Sequence, residues 1–415
     1  MPTPRPAHPA ALLSLTILAV ALGCEPRTPT KDRTASATAS AERPARPREP
    51  SPTATAAPAA PARAASGAPA ASAPTPLEPW PATELVRLFR DLSEPGEPFF
   101  SDNTISNETS YLQVAPELAA RPDGGVYVGV GPEQNFTYIA LTAPEVAFIV
   151  DIRRDNALLH LLYRALFERA STRAELVALL LGRPHVAAGD PEASGDVAAV
   201  LAHAVQQAPD PHHQATVQAA AWSFLTRDLG LPLTEPDRLR LAAIHRVFYD
   251  GQLELRFQLH EPNGRRYPSL RELLTARDAA GKAAGFLGSH AAFRRVRDLE
   301  RANRVVPVVG DFAGTRALAG VAAELRARQL AVATFYVSNV EQYLLDPDHW
   351  PRWIRNVAGL PARGDAVFVR AYLDQGRAHP AQLAGHRTTT LVQPLARLLE
   401  GRRPVPGEQI GRAHV

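Results

Sequence analysis

The sequence predicts an α/β fold built on a mostly parallel sheet, and three observations predict it. Five short apolar runs rich in Val have strand length: "VYVGV" (126–130), "VAFIVD" (146–151), "VVPVVGDFAG" (305–314), "VATFYVSNVEQYLL" (332–345) and "DAVFVRAYLD" (365–374). Apolar runs of this kind suit strands covered on both sides, as the strands of parallel sheets are. Segments of helical period lie between them, "PEQNFTYIAL" (132–141) after the first run and "TRALAGVAAELRARQLA" (315–331) after the third. Polar landmarks follow the runs at their carboxyl ends: Gly131, Asp151, Asp311 and Asn339. In an open parallel sheet these ends share one edge, where such folds bind ligands.

Composition bounds the rest. A chain of 415 residues, 45% hydrophobic and 21% charged, can form one large domain or two small ones. The formal charge of +3 is small for this length and does not suggest a nucleic-acid surface. "MPTPRPAHPAALLSLTILAVALGC" (1–24) carries Arg5 near its start and an apolar run, Ala10 to Leu22, that is short for a bilayer span. It reads as a signal peptide. Its "ALGC" ending resembles the lipobox of bacterial lipoproteins, with Ala21 where Leu is usual, so Cys24 is the expected lipidation site. Because Cys24 is the only cysteine, an intramolecular disulfide, a cysteine metal cluster and a cysteine nucleophile are excluded. Residues 25–78 are mostly Ala, Pro, Thr, Ser and Arg and cannot bury enough surface to offset chain entropy, so a disordered tether is expected. The expectation is an exported, membrane-anchored lipoprotein, periplasmic or on the cell surface, with its α/β domain in 79–415.

From Trp80 the composition is globular. "PATELVRLFRDL" (81–92) places Leu85, Leu88, Phe89 and Leu92 on one helical face. "FFSDNTISNETSYLQVAPEL" (99–118) is dense in polar residues between aromatic anchors. It supports two readings: Asn107 or Thr109 capping the segment around Tyr111, or a loop that covers a ligand, with Asn107, Glu108 and Tyr111 toward it.

At the first strand end, Gly129 and Gly131 remove side chains, so a ligand can approach the backbone, and Pro132 fits the first turn of the helix that follows. A helix N-terminus beside a glycine turn suits a phosphate or carboxylate. Asp151, about 20 residues further on, can accept hydrogen bonds from both hydroxyls of a ribose. The plainer alternative is that the glycines serve tight packing and Asp151 caps "IRRDNALLHLLYRALF" (152–167). Arg153 and Arg154 oppose that helix's dipole, which is tolerable as surface chance but better explained if they face an anion.

Residues from about 170 to 304 depart from strand-helix alternation. "RAELVALLLG", "DVAAVLAHAVQQ", "HHQATVQAAAWSFLTRDLG", "PDRLRLAAIHRVFYDG", "SLRELLTARDAAGKAAGFLG" and "HAAFRRVRDLERAN" all have helical period, which predicts a large helical insertion. His212 and His213 read as a solvent-exposed pair, and no metal site is predicted. "LELRFQLHEPNGRRYPS" (253–269) suggests a hairpin turning at Pro262-Asn263-Gly264. "HRTTTLVQPLARLLEG" (386–401) packs on the sheet or covers the site.

Three pieces resemble class I S-adenosylmethionine-dependent methyltransferases: "VGVGPEQN" (128–135) as the glycine loop, "FIVDIRR" (148–154) as the strand whose acid takes the ribose, and "VVGDFAG" (308–314) as the strand whose Asp lies near the adenine. "FYVSNVEQYL" (335–344) takes the position facing the reacting group. The wider phrasing, "SNETSYLQV" with "AFIVDIRRDN" and "YVSNVEQYL", looks like an uncharacterised bacterial protein family with this core. The resemblance implies a Rossmann-like, methyltransferase-like fold, with S-adenosylmethionine bound by Gly129, Gly131, Asp151 and Asp311. It implies Asn107, Tyr111, Ser338, Asn339 and Tyr343 on the substrate side of a small-molecule site, with Glu341 or Glu108 as general base. The chain departs from that pattern: Val126 and Val128 stand where an acid is usual, and the loop lacks a third glycine. Export stands against cofactor chemistry, since S-adenosylmethionine is made in the cytoplasm; the alternative is a non-catalytic ligand-binding or interaction lipoprotein on a degenerate methyltransferase scaffold.

Overall fold

A computed structural model describes residues 78–194, 196–374 and 377–400. The signal segment, Cys24 and the tether up to residue 77 lie outside the described residues. The strands are β1 (Val126–Gly129), β2 (Val146–Asp151), β3 (Val305–Val309), β4 (Val332–Ser338), β5 (Ala362–Leu373) and β6 (Thr388–Pro394). Among the described residues they form one sheet in the order β3-β2-β1-β4-β5-β6. All neighbours are parallel except β6, which runs antiparallel to β5. Every residue of β1, β2 and β3 is buried, which is why these strands read as unbroken apolar runs. The fold is therefore the expected α/β class with a mostly parallel sheet and Rossmann-like order. The "HRTTTLVQP" segment extends the sheet as β6.

Thirteen helices are described in chain order. They are α1 (Ala82–Leu92), α2 (Ala115–Ala119), α3 (Gln134–Thr142), α4 (Arg154–Arg169), α5 (Arg173–Leu180), α6 (Val197–Ala204) and α7 (Pro211–Ser223), then α8 (Glu235–Gly251), α9 (Leu270–Leu274), α10 (His290–Arg301), α11 (Ala317–Ala327), α12 (His349–Gly359) and α13 (Ala396–Leu399). Side chains alternate across a strand, and β4 shows how the two faces are covered. Phe335 meets Trp353 of α12 at 5.6 Å between ring centroids, whereas its neighbour Tyr336 meets Tyr138 of α3 at 5.0 Å. The α12 face is closed by Trp353 stacked on Phe312, the α3 face by Phe136 among Tyr163, Phe167 and Phe286.

The helical insertion starts its helices at side-chain caps. Thr172 caps α5, Asp196 α6, Asp210 α7 and Ser289 α10, and α8 and α9 carry capping boxes, Thr234 with Asp237 and Ser269 with Glu272. Two expectations in this region are corrected. The helix expected over "SLRELLTARDAAGKAAGFLG" ends after the five residues of α9, because Asp278 closes a turn onto Lys282 and Gly281 takes φ +77°. The hairpin expected over 253–269 has its turn but no ladder. Gly264 is left-handed and Asn263 Oδ1 accepts from Arg265 N at 3.0 Å, yet Leu259 pairs with Ser101 and Arg256 with Ser269 as isolated bridges.

Candidate functional site

The strand order reverses beside β1, whose neighbours β2 and β4 lead their connections away in opposite directions and leave a crevice at the carboxyl edge. A cavity of about 330 Å³ occupies it. Gly131, Asp151, Asp311 and Asn339 all line this cavity, so the four landmarks that share an edge in the sequence reading also share a space. The loop from Phe99 to Tyr111 closes one side: Ser106, Asn107 and Glu108 line the cavity. Neither Asn107 nor Thr109 caps the turn at Tyr111, since no side-chain cap bond is made there. Instead, Ser110 N donates to Thr388 Oγ1 of β6 at 3.1 Å and ties the loop to the sheet's last strand.

Glu108 is the most elaborated group. It is 2% exposed, and its carboxylate accepts from Tyr336 Oη at 2.8 Å, Gln134 Nε2 at 2.8 Å and Ser338 Oγ. Burial pushes its carboxyl above the ordinary range, against the pull of those three hydrogen bonds. Gln134 is itself fixed, donating to Tyr138 Oη at 3.0 Å and accepting from Ser106 Oγ at 2.5 Å. Ser338 reaches Glu108 with φ +52°, a backbone strain at the end of β4 that aims its hydroxyl. A second buried carboxyl, Glu133, accepts from Ser106 N at 3.1 Å and is pushed up to about 7 by burial.

Asp151 sits at the end of β2, buried. Its Oδ1 accepts from Arg153 N at 2.8 Å; its Oδ2 accepts from Gly131 N at 3.2 Å and Arg153 Nη2 at 3.0 Å. A carboxylate has about four lone-pair sites, so one acceptor position remains for an incoming hydroxyl. The anions that the two arginines face are the chain's own: Arg153 pairs with Asp151, and Arg154 grips Asp237 of α8 through two bonds of 2.6 and 2.8 Å. Gly131 takes φ +78°, and a side chain there would meet nothing within 4 Å, so it opens to the cavity. Its carbonyl accepts from His160 Nε2 at 2.8 Å; burial pulls His160 down to about 4, keeping the ring neutral.

The other predicted residues separate. Gly129 is a packing glycine: a methyl there would collide with Asn135 Oδ1 and lie 2.6 Å from the Tyr127 ring, and the residue does not line the cavity. Tyr111 points away and donates to Leu273 O at 2.8 Å. Glu341 is held by Arg370 at 2.5 and 2.8 Å and by Trp353 Nε1 at 3.2 Å, outside the cavity lining. Asp311 lines the cavity and turns its Oδ1 to Ala313 N at 2.9 Å. Asn339 donates to Tyr343 Oη at 3.3 Å, and Tyr343 meets Phe99 edge-on at 5.7 Å and Phe100 at 5.9 Å, forming a half-exposed aromatic rim.

Sequence reasoning named Tyr343 but missed Tyr336, Gln134 and the Phe99 and Phe100 part of this rim. "FF" at 99–100 was a usable signal, since paired aromatics beside a polar loop need a surface to cover. Arg265 and Tyr267, past the Asn263 turn, also line the cavity, and nothing in their spacing pointed there.

A family model described as "Domain of unknown function (DUF7790)" matches residues 103–188 and 243–404 of the chain, more than half of it. The matched residues include Glu108, Gly131, Asp151, Asp311 and Ser338, and they leave out all of α6 and α7 and the start of α8. Among curated proteins, none matches the chain.

Proposed function

The chain belongs to the DUF7790 family, and we propose that its cavity at the carboxyl edge of the sheet binds a nucleotide-type small molecule, with S-adenosylmethionine the first candidate. The observation that supports this reading is convergence: an open left-handed Gly131, the buried acid Asp151 and Asp311 surround one cavity at the point where strand order reverses. At about 330 Å³ the cavity is within the range of small-molecule sites. In this reading Asp151 offers its remaining acceptor site to a ribose hydroxyl, and Gly131 lets the ligand approach the backbone. Methyl transfer needs positioning and exclusion of water, which the Phe99, Phe100 and Tyr343 rim would supply. Glu108, and not Glu341, is then the group placed to exchange a proton with a bound substrate, because it alone of the two lines the cavity.

A second reading is non-catalytic capture of another small polar ligand. It is favoured by Asp151 already holding Arg153 and Gly131 N, and by Gly129 being filled by its own neighbours. Calorimetric titration of S-adenosylmethionine and S-adenosylhomocysteine into the full-length chain separates the two. Binding that weakens at least about tenfold in Asp151→Ala supports the first; absence of binding to a folded wild-type chain overturns it and leaves the second. The chain is further proposed to be exported and anchored through Cys24. Incorporation of an alkyne-tagged fatty acid in cells should be lost in Cys24→Ser, with release of the chain from the membrane fraction; an unlabelled wild type would sink this proposal.

A further inference from the structure

Away from the sheet edge, the segment "GRPHVAAGDPEAS" (182–194) that follows α5 folds back so that His185, Asp190 and His203 of α6 meet. We propose that these three residues bind a divalent transition-metal ion, zinc first. Each offers a ligand atom, and the three atoms lie within 4.8 Å of one another. His185 Nε2 and Asp190 Oδ2 are already 3.2 Å apart, close to the separation of two ligands around a tetrahedral ion with bonds of about 2 Å. The His185 and His203 rings stand at 66° with centroids 5.7 Å apart.

Asp190 Oδ1 and His185 Nδ1 are buried and have no partner among the described residues, and the Asp190 side chain is only 8% exposed. Asp190 Oδ1 is an orphaned carboxylate oxygen, and such an acceptor needs a positive partner, which an ion bound in this cluster supplies. The surroundings also fix the ligands from behind, as outer-shell groups do at metal sites. Thr172 Oγ1 donates to Asp190 Oδ2 at 2.6 Å, and the Val186 carbonyl lies 2.7 Å from His203 Nε2.

Donor chemistry selects the metal. Two imidazoles and one carboxylate suit zinc and its neighbours, and do not suit calcium or magnesium, which take oxygen ligands. Three protein ligands leave a fourth position for water or an exogenous donor. The H-x4-D-x12-H spacing joins a loop to a helix and matches no compact motif, so the sequence reading predicts no metal here. Asp190 and His203 fall outside the residues that the family model matches, which makes this a property of the insertion.

The test is a zinc titration of the full-length chain, produced without a histidine tag, against a chromophoric chelator competitor. One zinc per chain is expected, with an affinity weakened on the order of 100-fold in His203→Gln and in Asp190→Asn, and unchanged in the double variant His212→Ala/His213→Ala. Zinc should also raise the Tm of the wild type and not of His203→Gln, a readout that holds even if a variant folds less well. Zinc uptake equal in wild type and both cluster variants, or none by the wild type at about 10 μM zinc, would overturn the proposal.

Discussion

Glu108 and Glu300 are equally deep in the protein, 2% and 1% exposed, and their surroundings are opposite. Glu108 at the carboxyl edge receives three donors, from Tyr336, Ser338 and Gln134. Glu300, on α10, has two buried carboxyl oxygens without a hydrogen-bond partner among the described residues. Arg164, whose charge acts on it, bonds instead to Glu168 at 2.8 Å and Asn303 at 3.1 Å and lies over the Phe224 ring. Burial pushes Glu300 up to about 8, with Arg164 only partly opposing. Depth is common to both, so the donors are what differ. A buried acid with a full donor set has been given a place as an acid, whereas one without donors is tolerated as a neutral, protonated side chain.

The largest expected effect follows from Glu300. Its folded-state value lies above its unfolded value of 4.5, so between 4.5 and about 8 the folded chain keeps a proton that the unfolded chain has released. The stabilising contribution is whole below 4.5 and is lost as the pH rises through 8; a shift of this size corresponds to about 5 kcal/mol. Glu133, raised to about 7, adds to the same decline. Glu300→Gln should therefore be close to wild type at pH 4.5 and more stable by several kcal/mol at pH 9, with a flatter profile of denaturation midpoint against pH. An unchanged slope in Glu300→Gln would show that the carboxyl ionises without cost and would remove this half of the contrast.

How much of this could be read in the sequence depends on range. Strands announced themselves because "VYVGV" and "VAFIVD" are buried on both faces, and their ends because Gly131 and Asp151 interrupt apolar runs. Caps such as Thr172 and Ser289 act within three residues of themselves, so their signal was local, although the sequence reading did not name them. Partners far apart in the chain were not. Arg154 finds Asp237, Glu108 finds Ser338 and Ser110 finds Thr388 only after the sheet has formed. Glycine misled at 129 because a close approach of Asn135 and a close approach of a ligand demand the same absent side chain. The helix expected after α9 failed because alanine supplied propensity where the structure needed a loop, and Gly281, Gly285 and Gly288 had already marked it.

The smaller effect tests the other half of the contrast. In Glu108→Gln an acceptor oxygen becomes an NH2 group, and it must face either Gln134 Nε2 or the hydroxyls of Tyr336 and Ser338, all of them donors in the wild type. The hydroxyls can rotate to accept, but the Gln134 amide is pinned by Ser106 and Tyr138, so at least one donor loses its partner. One orphaned buried donor costs about 1–3 kcal/mol. The cost should be plainest at pH 5, where Glu300→Gln has little effect. It should shrink as the pH rises, because burial holds the Glu108 carboxyl above its unfolded value and the wild type then loses stability on ionising it. Chemical denaturation of both variants at pH 5 and pH 9 reads the two signs directly. A Glu108→Gln chain as stable as wild type at pH 5 would mean that the three donors do not discriminate an acid from an amide, and Glu108 would then be no better suited to proton exchange than Glu300.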